Sequence, residues 1–225
     1  MLKEIYHKYT ETAQKIRESD FCKNAQCFQN LLMTKVNALG KYLAKNNVSA
    51  ISVSIFGFII GLMAINFLAM NMYFEALVCI LINRFCDILD GAVAKFEGES
   101  EFGKFIDATL DFIFYGGVIF GFALADIQEN ATAACFLLFA FMSSATTMLA
   151  FGVVDKNAKE LKKSPFYLGG LAQGFETLCA LVLLCVMPFI FKMIAILLGC
   201  WCILKVLIII SGAYWKFNIA GKGKK

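Results

Sequence analysis

The chain has 225 residues, of which 60% are hydrophobic and 17% are charged. Soluble domains average about 45–50% apolar and about 25% charged residues, so this composition excludes a disordered chain, a collagen-like chain and a small disulfide-stapled domain. The formal net charge of +4 is small, and we therefore expect no nucleic acid among the partners. The composition predicts an all-α integral membrane protein.

Six apolar segments are long enough to cross a bilayer, whose core of ~30 Å needs about 20 helical residues. Short polar joints separate them, including the acidic residues 126–129 and Pro188. We predict six transmembrane helices within a domain of residues 47–216, which a basic tail of residues 217–225 follows. The six predicted spans are residues 49–70, 73–95, 104–125, 131–153, 167–187 and 192–214.

Positive charge predicts the orientation of these spans. Of the 21 Lys and Arg residues, 19 fall on one side of the six-span arrangement: eight in residues 3–45, three in 84–104, four in 156–163 and four in 216–225. Membrane proteins keep such segments in the cytoplasm. Both termini are therefore predicted to be cytoplasmic, in the plasma (inner) membrane if the source is bacterial.

Residues 1–46 differ from the rest of the chain because they carry charge throughout. Their apolar residues recur at helical spacing, with Lys35 and Lys41 on the other face, which predicts an amphipathic helical segment. It would lie either at the cytoplasmic lipid surface or in water as a solvated extension. The apolar positions are Phe28, Leu31, Leu32, Val36, Leu39, Tyr42 and Leu43.

Most of the chain's unusual polar chemistry lies at the joint between spans two and three. Asp87 and Asp90 are three residues apart, and Asp107 and Asp111 are four apart, so each pair shares one face of a helix. Two helices that a short joint connects are antiparallel neighbours, which lets the four carboxylates converge at membrane depth. Carboxylates so placed would repel one another unless a cation held them together. Oxygen ligands alone favour Mg²⁺ over zinc.

Small residues accompany the carboxylates. Gly91 and Ala94 share the face of Asp87 and Asp90, and Gly103 lies one turn before Asp107. Missing side chains would let a bulky, phosphate-bearing ligand approach the backbone. The alternative is a structural ion cluster whose glycines only let helices pack.

This stretch resembles the signature of the CDP-alcohol phosphatidyltransferase family. The family pattern is Asp-x2-Asp-Gly-x2-Ala-Arg, eight or nine further residues, and then Gly-x3-Asp-x3-Asp. Six spans and a motif across spans two and three are similar to the family as well, over about residues 48–215. The matching positions are Asp87, Asp90, Gly91, Ala94, Lys95, Gly103, Asp107 and Asp111.

The resemblance implies an enzyme of phospholipid biosynthesis that joins a CDP-linked lipid donor to a small alcohol and releases CMP. Asp87, Asp90 and Asp107 would hold two Mg²⁺ (or Mn²⁺) ions on the donor diphosphate, with Asp111 completing the cluster. Asp111 would also take the proton of the acceptor hydroxyl. The resemblance also implies membrane lipid as a partner and a homodimer. The implied nucleotide pocket consists of Asp87, Gly91, Ala94, Lys95 and Gly103.

Two positions depart from the family pattern. Lys95 stands where the family has Arg, and seven residues rather than eight or nine precede Gly103. Lys keeps the charge but lacks the planar fork that binds phosphate through two hydrogen bonds. We therefore expect an altered contact with the nucleotide and retained activity.

Four further polar residues are candidates for lining the cavity. Asn83 and Arg84 lie one turn before Asp87, where they could orient its carboxylate. Glu176 and Lys205 lie at similar depth in spans five and six, and buried charges in membranes usually pair. We predict an ion pair between them; the alternative is a Lys205 whose ammonium reaches the membrane surface alone.

Two other functions compete with the phosphatidyltransferase. A Mg²⁺-dependent intramembrane prenyltransferase also uses Asp-rich helices, but it has two distant acidic motifs, whereas here residues 87–111 hold all four carboxylates. The other is a divalent-cation transporter or a catalytically silent relative. A transporter is expected to show an internal repeat, which this sequence lacks. The sequence selects neither the acceptor nor the donor, which is CDP-diacylglycerol or, in the reverse arrangement, a CDP-linked head group with diacylglycerol as acceptor.

Overall fold

A computed structural model describes residues 20–98, 100–154 and 175–214, with the side chains of residues 20–32 and 175–177 outside the description. Within these parts every regular element is helical, as predicted. A short 3₁₀ turn, Pro188–Ile190, precedes the last helix. The helices are α1 (Asp20–Lys45), α2 (Ala50–Ala69), α3 (Tyr73–Glu97), α4 (Glu101–Ala125), α5 (Ile127–Val154), α6 (Phe175–Val186) and α7 (Phe191–Tyr214).

Four of the described segments are long and apolar enough to cross a membrane: α2, α4, α5 and Pro188–Tyr214. Helix α3 has the length, with 25 residues, but its charged residues exclude it from this set. Helix α6 covers 12 residues, and the first part of the predicted span 167–187 lies outside the described residues. The prediction of an all-α membrane protein is thus confirmed, whereas the count of six spans stays a prediction.

Two predicted joints are shorter in the structure because polar side chains begin the next helix. Ser100 accepts a hydrogen bond from the Gly103 amide at 2.9 Å, so α4 starts at Glu101 rather than near residue 104. Asp126 Oδ1 accepts from the Glu129 amide at 3.1 Å. The predicted joint 126–129 was too long, since α5 starts at Ile127. A side-chain acceptor at this position satisfies an amide that has no partner within the helix.

The end of the helix bundle away from the four aspartates is tightly packed, and we call it the closed end. The Phe122 ring stacks on the Tyr73 ring, with centroids 6.2 Å apart, and on the Phe191 ring, with centroids 4.9 Å apart. These rings join the starts of α3 and α7 to the end of α4. An ion pair of 3.0 Å between Lys192 and Glu129 joins α7 to α5 beside them.

Helix α2 lies unusually close to its neighbours. A Cβ added at Gly57 would lie 2.5 Å from the Cys86 Cβ of α3, and one added at Gly61 would lie 2.8 Å from the Phe114 ring of α4. Glycine at both positions is therefore required by the packing, as small residues are at many membrane helix contacts. This approach brings α2 to the edge of the pocket described below.

Helix α1 packs on the outer side of α3, directly behind the aspartate motif. Gly40 lies against Ala92, where an added Cβ would be 2.8 Å from the Ala92 Cβ. Val36 and Leu43 pack on the small core around Leu89 and Val93. Part of the predicted apolar face of α1 thus covers a neighbouring helix, while Leu39 and Tyr42 of that face are exposed. The side chains of Phe28, Leu31 and Leu32 lie outside the described residues.

Candidate active site

The four aspartates lie on the facing sides of α3 and α4, at the end where the two helices are joined. Asp87 and Asp90 lie in the last three turns of α3, and Asp107 and Asp111 in the first three turns of α4. All four line one pocket, to which α2 contributes Ser54 and Gly57. The convergence that the spacing predicts is therefore present in the structure.

Three of the carboxylates form a compact group. One carboxylate oxygen from each of Asp87, Asp90 and Asp107 lies within 4.8 Å of the other two. Asp90 is buried, Asp87 is half-buried and Asp107 is exposed. Oxygen atoms alone, at this spacing and partly out of water, fit a hard divalent cation such as Mg²⁺. We call these residues the carboxylate triad.

Asp111 has a different partner. Its Oδ1 accepts a hydrogen bond of 2.7 Å from Nη2 of the buried Arg84. The same guanidinium lies 3.5 Å from Asp87 Oδ2, which is a weak contact. This hydrogen bond uses one oxygen of Asp111, and a carboxylate has a second one to offer.

Arg84 is held by further groups of α3 and α4, and one of them, Asn83, is bonded in turn to α2. Its Nε and Nη2 donate to Asn83 Oδ1 at 2.9 and 2.7 Å, and its Nη1 donates to the Tyr115 hydroxyl at 2.9 Å. Its Cζ lies 4.6 Å from the centroid of the Phe114 ring. Asn83 in turn donates from Nδ2 to the Gly57 carbonyl at 2.9 Å. Two of the four residues predicted to line the cavity, Asn83 and Arg84, therefore lie at the pocket, and both are buried.

Ser54 is a polar contact that the sequence analysis missed. Its hydroxyl donates to Asp90 Oδ2 at 2.5 Å, so α2 orients one carboxylate of the triad. Tyr115, the acceptor for Arg84, was missed as well. Each lies in a long apolar run of the sequence. A hydroxyl group there needs a hydrogen-bond partner inside the protein, and this need was the signal that could have identified both residues.

Of the residues predicted for the nucleotide, Asp87 lines the pocket, whereas Gly91, Ala94, Lys95 and Gly103 lie outside its lining, toward the joint between α3 and α4. Gly91 is exposed, and an added Cβ there would meet nothing within 4 Å. Packing therefore gives no reason for glycine at this position. At Gly103 an added Cβ would lie 2.9 Å from the Ser100 hydroxyl that caps α4. The helix cap therefore explains why this position is a glycine. Ala94 is half-buried and Lys95 is exposed in the last turn of α3.

The predicted ion pair between Glu176 and Lys205 lies partly outside the described residues. The side chain of Glu176 lies outside the described residues. Lys205 is buried in α7, and its Nζ lies 5.8 Å from the centroid of the Trp201 ring. The pairing of Glu176 with Lys205 stays a prediction.

Comparison with known proteins gives one family and two informative relatives. The family model described as "CDP-alcohol phosphatidyltransferase" matches residues 47–210. The chain is 40% identical over 168 residues to "Inner membrane protein YnjF" of Escherichia coli, which covers 72% of this chain and 82% of that protein. It is 33% identical over 90 residues to "Archaetidylinositol phosphate synthase" of Pyrococcus horikoshii, which covers 40% of this chain and 48% of that protein. No solved structure matches.

Proposed function

Because the chain belongs to the CDP-alcohol phosphatidyltransferase family, we propose that it transfers a phosphatidyl group from CDP-diacylglycerol to a small alcohol and releases CMP. The observation that carries the proposal is the carboxylate triad, whose oxygens lie within 4.8 Å of one another beside Asp111. The family is one of transferases, and the four apolar helices fit a membrane protein. The relative from Escherichia coli, an "Inner membrane protein", supports the plasma membrane as the location.

The carboxylate triad would hold the divalent cations, Mg²⁺ or Mn²⁺. We propose two ions, with Asp111 completing the cluster of ligands. Bound there, such ions supply positive charge that neutralises the donor's diphosphate. Ser54 fixes one carboxylate of the triad through its hydroxyl. The proposed nucleotide contacts are Asp87, Gly91, Ala94, Lys95 and Gly103, on the exposed flank of the triad.

Asp111 is the proposed proton acceptor. The oxygen of the acceptor hydroxyl attacks the β-phosphorus of the donor and forms the new P–O bond as its proton passes to the Asp111 carboxylate. The bond between the β-phosphorus and the bridging oxygen breaks, and CMP leaves with its electron pair. The charge of Lys95 helps to hold the leaving nucleotide. A site near the membrane surface lets the donor's acyl chains stay in lipid while a water-soluble acceptor enters.

The topology belongs to the same proposal. We place six spans in residues 47–216, both termini and the aspartates in the cytoplasm, and residues 1–46 at its lipid surface. The basic tail of residues 217–225 would face the same surface, and the functional unit would be a homodimer. Among acceptors, an inositol phosphate is the first to test, because the name of the Pyrococcus relative contains it.

The test is CMP release by the full chain in lipid nanodiscs. The purified protein receives CDP-diacylglycerol with one acceptor at a time (an inositol phosphate, glycerol 3-phosphate, serine), with Mg²⁺ or with EDTA. We expect CMP and a new phospholipid only with Mg²⁺ and the right acceptor, and neither with Asp107→Asn. A second panel pairs CDP-linked head groups with diacylglycerol. No CMP in either panel, from a protein that is folded, would favour a catalytically silent relative.

A further inference from the structure

Arg84 is a buried cation among acidic side chains, and the reaction described above gives it no task. Only 8% of the residue is exposed. Its guanidinium contacts Asp111 at 2.7 Å and lies 3.5 Å from Asp87. It therefore touches both the proposed proton acceptor and one member of the carboxylate triad. A positive charge at this place acts on both the position of a carboxylate and the binding of a metal cation.

The guanidinium has little freedom to move. Asn83 and Tyr115 accept hydrogen bonds from three of its nitrogen atoms, and its Cζ lies 4.6 Å and 4.9 Å from the ring centroids of Phe114 and Tyr115. A planar cation between aromatic rings and fixed acceptors is already ordered before a ligand arrives. Arg84 is thus a fixed reference point to which Asp111 is attached.

The support of Arg84 reaches α2 as well. Asn83 accepts from the guanidinium and donates to the Gly57 carbonyl at 2.9 Å. Because Gly57 has no side chain, α2 lies close enough for this bond. Three helices therefore position one guanidinium, and the guanidinium positions Asp111.

We propose that Arg84 is a positioning residue that holds Asp111 beside the carboxylate triad, and that its charge opposes the binding of a divalent cation to the same carboxylates. This inference rests on the proposed function, in which Asp111 takes the proton of the acceptor. The proposal predicts that Arg84 has opposite effects on the rate of transfer and on the affinity for the metal. Arg84 speeds transfer by fixing the proton acceptor and weakens metal binding through repulsion between like charges. A residue that only stabilised the fold would support both activities together.

The decisive variant is Arg84→Met, which keeps much of the side-chain volume and removes the charge. Mn²⁺ binding to the full chain in detergent is measured by electron paramagnetic resonance, and transfer is measured in nanodiscs with saturating metal. We expect Mn²⁺ to bind roughly tenfold more tightly, since like-charge repulsion is removed. We expect kcat to fall about a hundredfold with KM for the donor changed less than about threefold, because positioning acts on the reacting complex.

Two further variants separate charge from geometry. Arg84→Lys keeps the charge and lacks the fork, so Mn²⁺ affinity should stay within about threefold of wild type while kcat falls about tenfold. Lys192→Met removes one positive charge at the closed end, where Lys192 pairs with Glu129. It should leave both Mn²⁺ affinity and kcat unchanged, and it is the matched control for the loss of charge.

Weaker or unchanged Mn²⁺ binding by Arg84→Met would overturn the proposal. If this variant does not fold, Arg84→Lys is the deciding variant. A wild-type kcat in Arg84→Lys would overturn the proposal, and so would a lower kcat accompanied by weaker Mn²⁺ binding. The two proposals fail separately. A wild-type protein without transfer activity contradicts the proposed function, whereas the Mn²⁺ measurements still test the effect of the Arg84 charge on the triad.

Discussion

The four aspartates of the motif have different surroundings, although their spacing in the sequence is regular. Asp87, Asp90 and Asp107 face one another, and Asp111 is hydrogen-bonded to Arg84. The Arg84 guanidinium lies 2.7 Å from Asp111 and 3.5 Å from Asp87, so its charge offsets repulsion at Asp111 more than within the triad. The triad is therefore suited to a cation, and Asp111, which completes the proposed cluster, is held separately as the proposed proton acceptor.

Removal of one carboxylate tests the cluster. We expect Asp107→Asn and Asp111→Asn each to lower transfer by about three orders of magnitude or more, because the cluster acts as a unit. Asp107→Asn should also weaken Mn²⁺ binding. Asp126→Asn at the closed end is the matched control, since Asn caps a helix about as well as Asp. Transfer by either site variant within tenfold of wild type would contradict the site.

A substitution at Gly91 tests whether this glycine is needed for binding the nucleotide or for packing of the helices. An added Cβ there meets nothing within 4 Å, so Gly91→Leu should leave the melting temperature almost unchanged. If the nucleotide lies over this glycine, the same variant should raise KM for the CDP-linked donor at least tenfold through steric exclusion. Steady-state kinetics and a thermal melt in detergent measure the two effects. An unchanged KM would remove Gly91 from the nucleotide pocket.

Lys95 tests whether the departure from the family pattern matters. It is exposed in the last turn of α3, so a longer side chain can be accommodated. We expect Lys95→Arg to keep kcat within about threefold and to lower KM for the donor, because Arg binds phosphate through two hydrogen bonds. A loss as large as that of Asp107→Asn would mean that the shorter joint has shaped the pocket around Lys.

Among the helices, the contact of α2 with α3 and α4 determines the geometry of the site. Ser54 reaches Asp90, and the Gly57 carbonyl accepts from Asn83. Near the joint between α3 and α4, the Ala50 amide donates to Glu97 Oε2 at 2.8 Å, which connects the start of α2 to the end of α3. A small displacement of α2 would therefore disturb the triad and the support of Arg84 together.

Glycine substitutions test the contact between α2 and α3. Gly57→Ala would place its Cβ 2.5 Å from that of Cys86, which forces the helices apart. We expect a loss of roughly 1–3 kcal/mol in stability together with a fall in kcat. Gly152→Ala on α5 is the matched control, because nothing lies within 4 Å of its added Cβ. Thermal melts of both variants in one detergent give the comparison, and equal melting temperatures would contradict the close contact.

The sequence predicts the helices better than their ends. Apolar length places α2, α4, α5 and α7 within a few residues, because burial in lipid needs about 20 apolar residues regardless of neighbours. The acidic residues 126–129 are predicted to form a joint, but the Asp126 cap makes residues 127–129 the first turn of α5. Likewise, i,i+3 and i,i+4 spacing predicts that the aspartates converge. The hydrogen bonds of Arg84, Ser54 and Tyr115 depend on contacts between helices, which no spacing within one helix specifies.

The two ends of the molecule are built differently. At the closed end, aromatic stacking and the pair Lys192–Glu129 join four helices. At the other end lie the pocket, the carboxylate triad and helix α1, packed behind the motif on α3. Rigid packing at one end supports a site at the other, where substrates need access.

The orientation of the whole chain follows from the proposed six spans. Fluorescent protein fused to Met1 or to Lys225 folds into a fluorescent form in the bacterial cytoplasm and not after export across the inner membrane. We expect both fusions to fluoresce in Escherichia coli, since an even number of spans places both termini on the side of the 19 basic residues. A fluorescent fusion at Met1 beside a dark one at Lys225 would require an odd number of spans.

The joints of the closed end also bear on how this family can diverge. Helices α4 and α5 are separated there by Asp126 alone, and α2 and α3 by residues 70–72. Turns this short, one with the Asp126 cap and both beside stacked rings, leave no room for an added or deleted residue. Insertions and deletions among homologues should therefore be rare in these two joints and more frequent between α5 and α6, before α1 and after α7. Differences in substrate choice would then arise outside the closed end, whose packing stays the same.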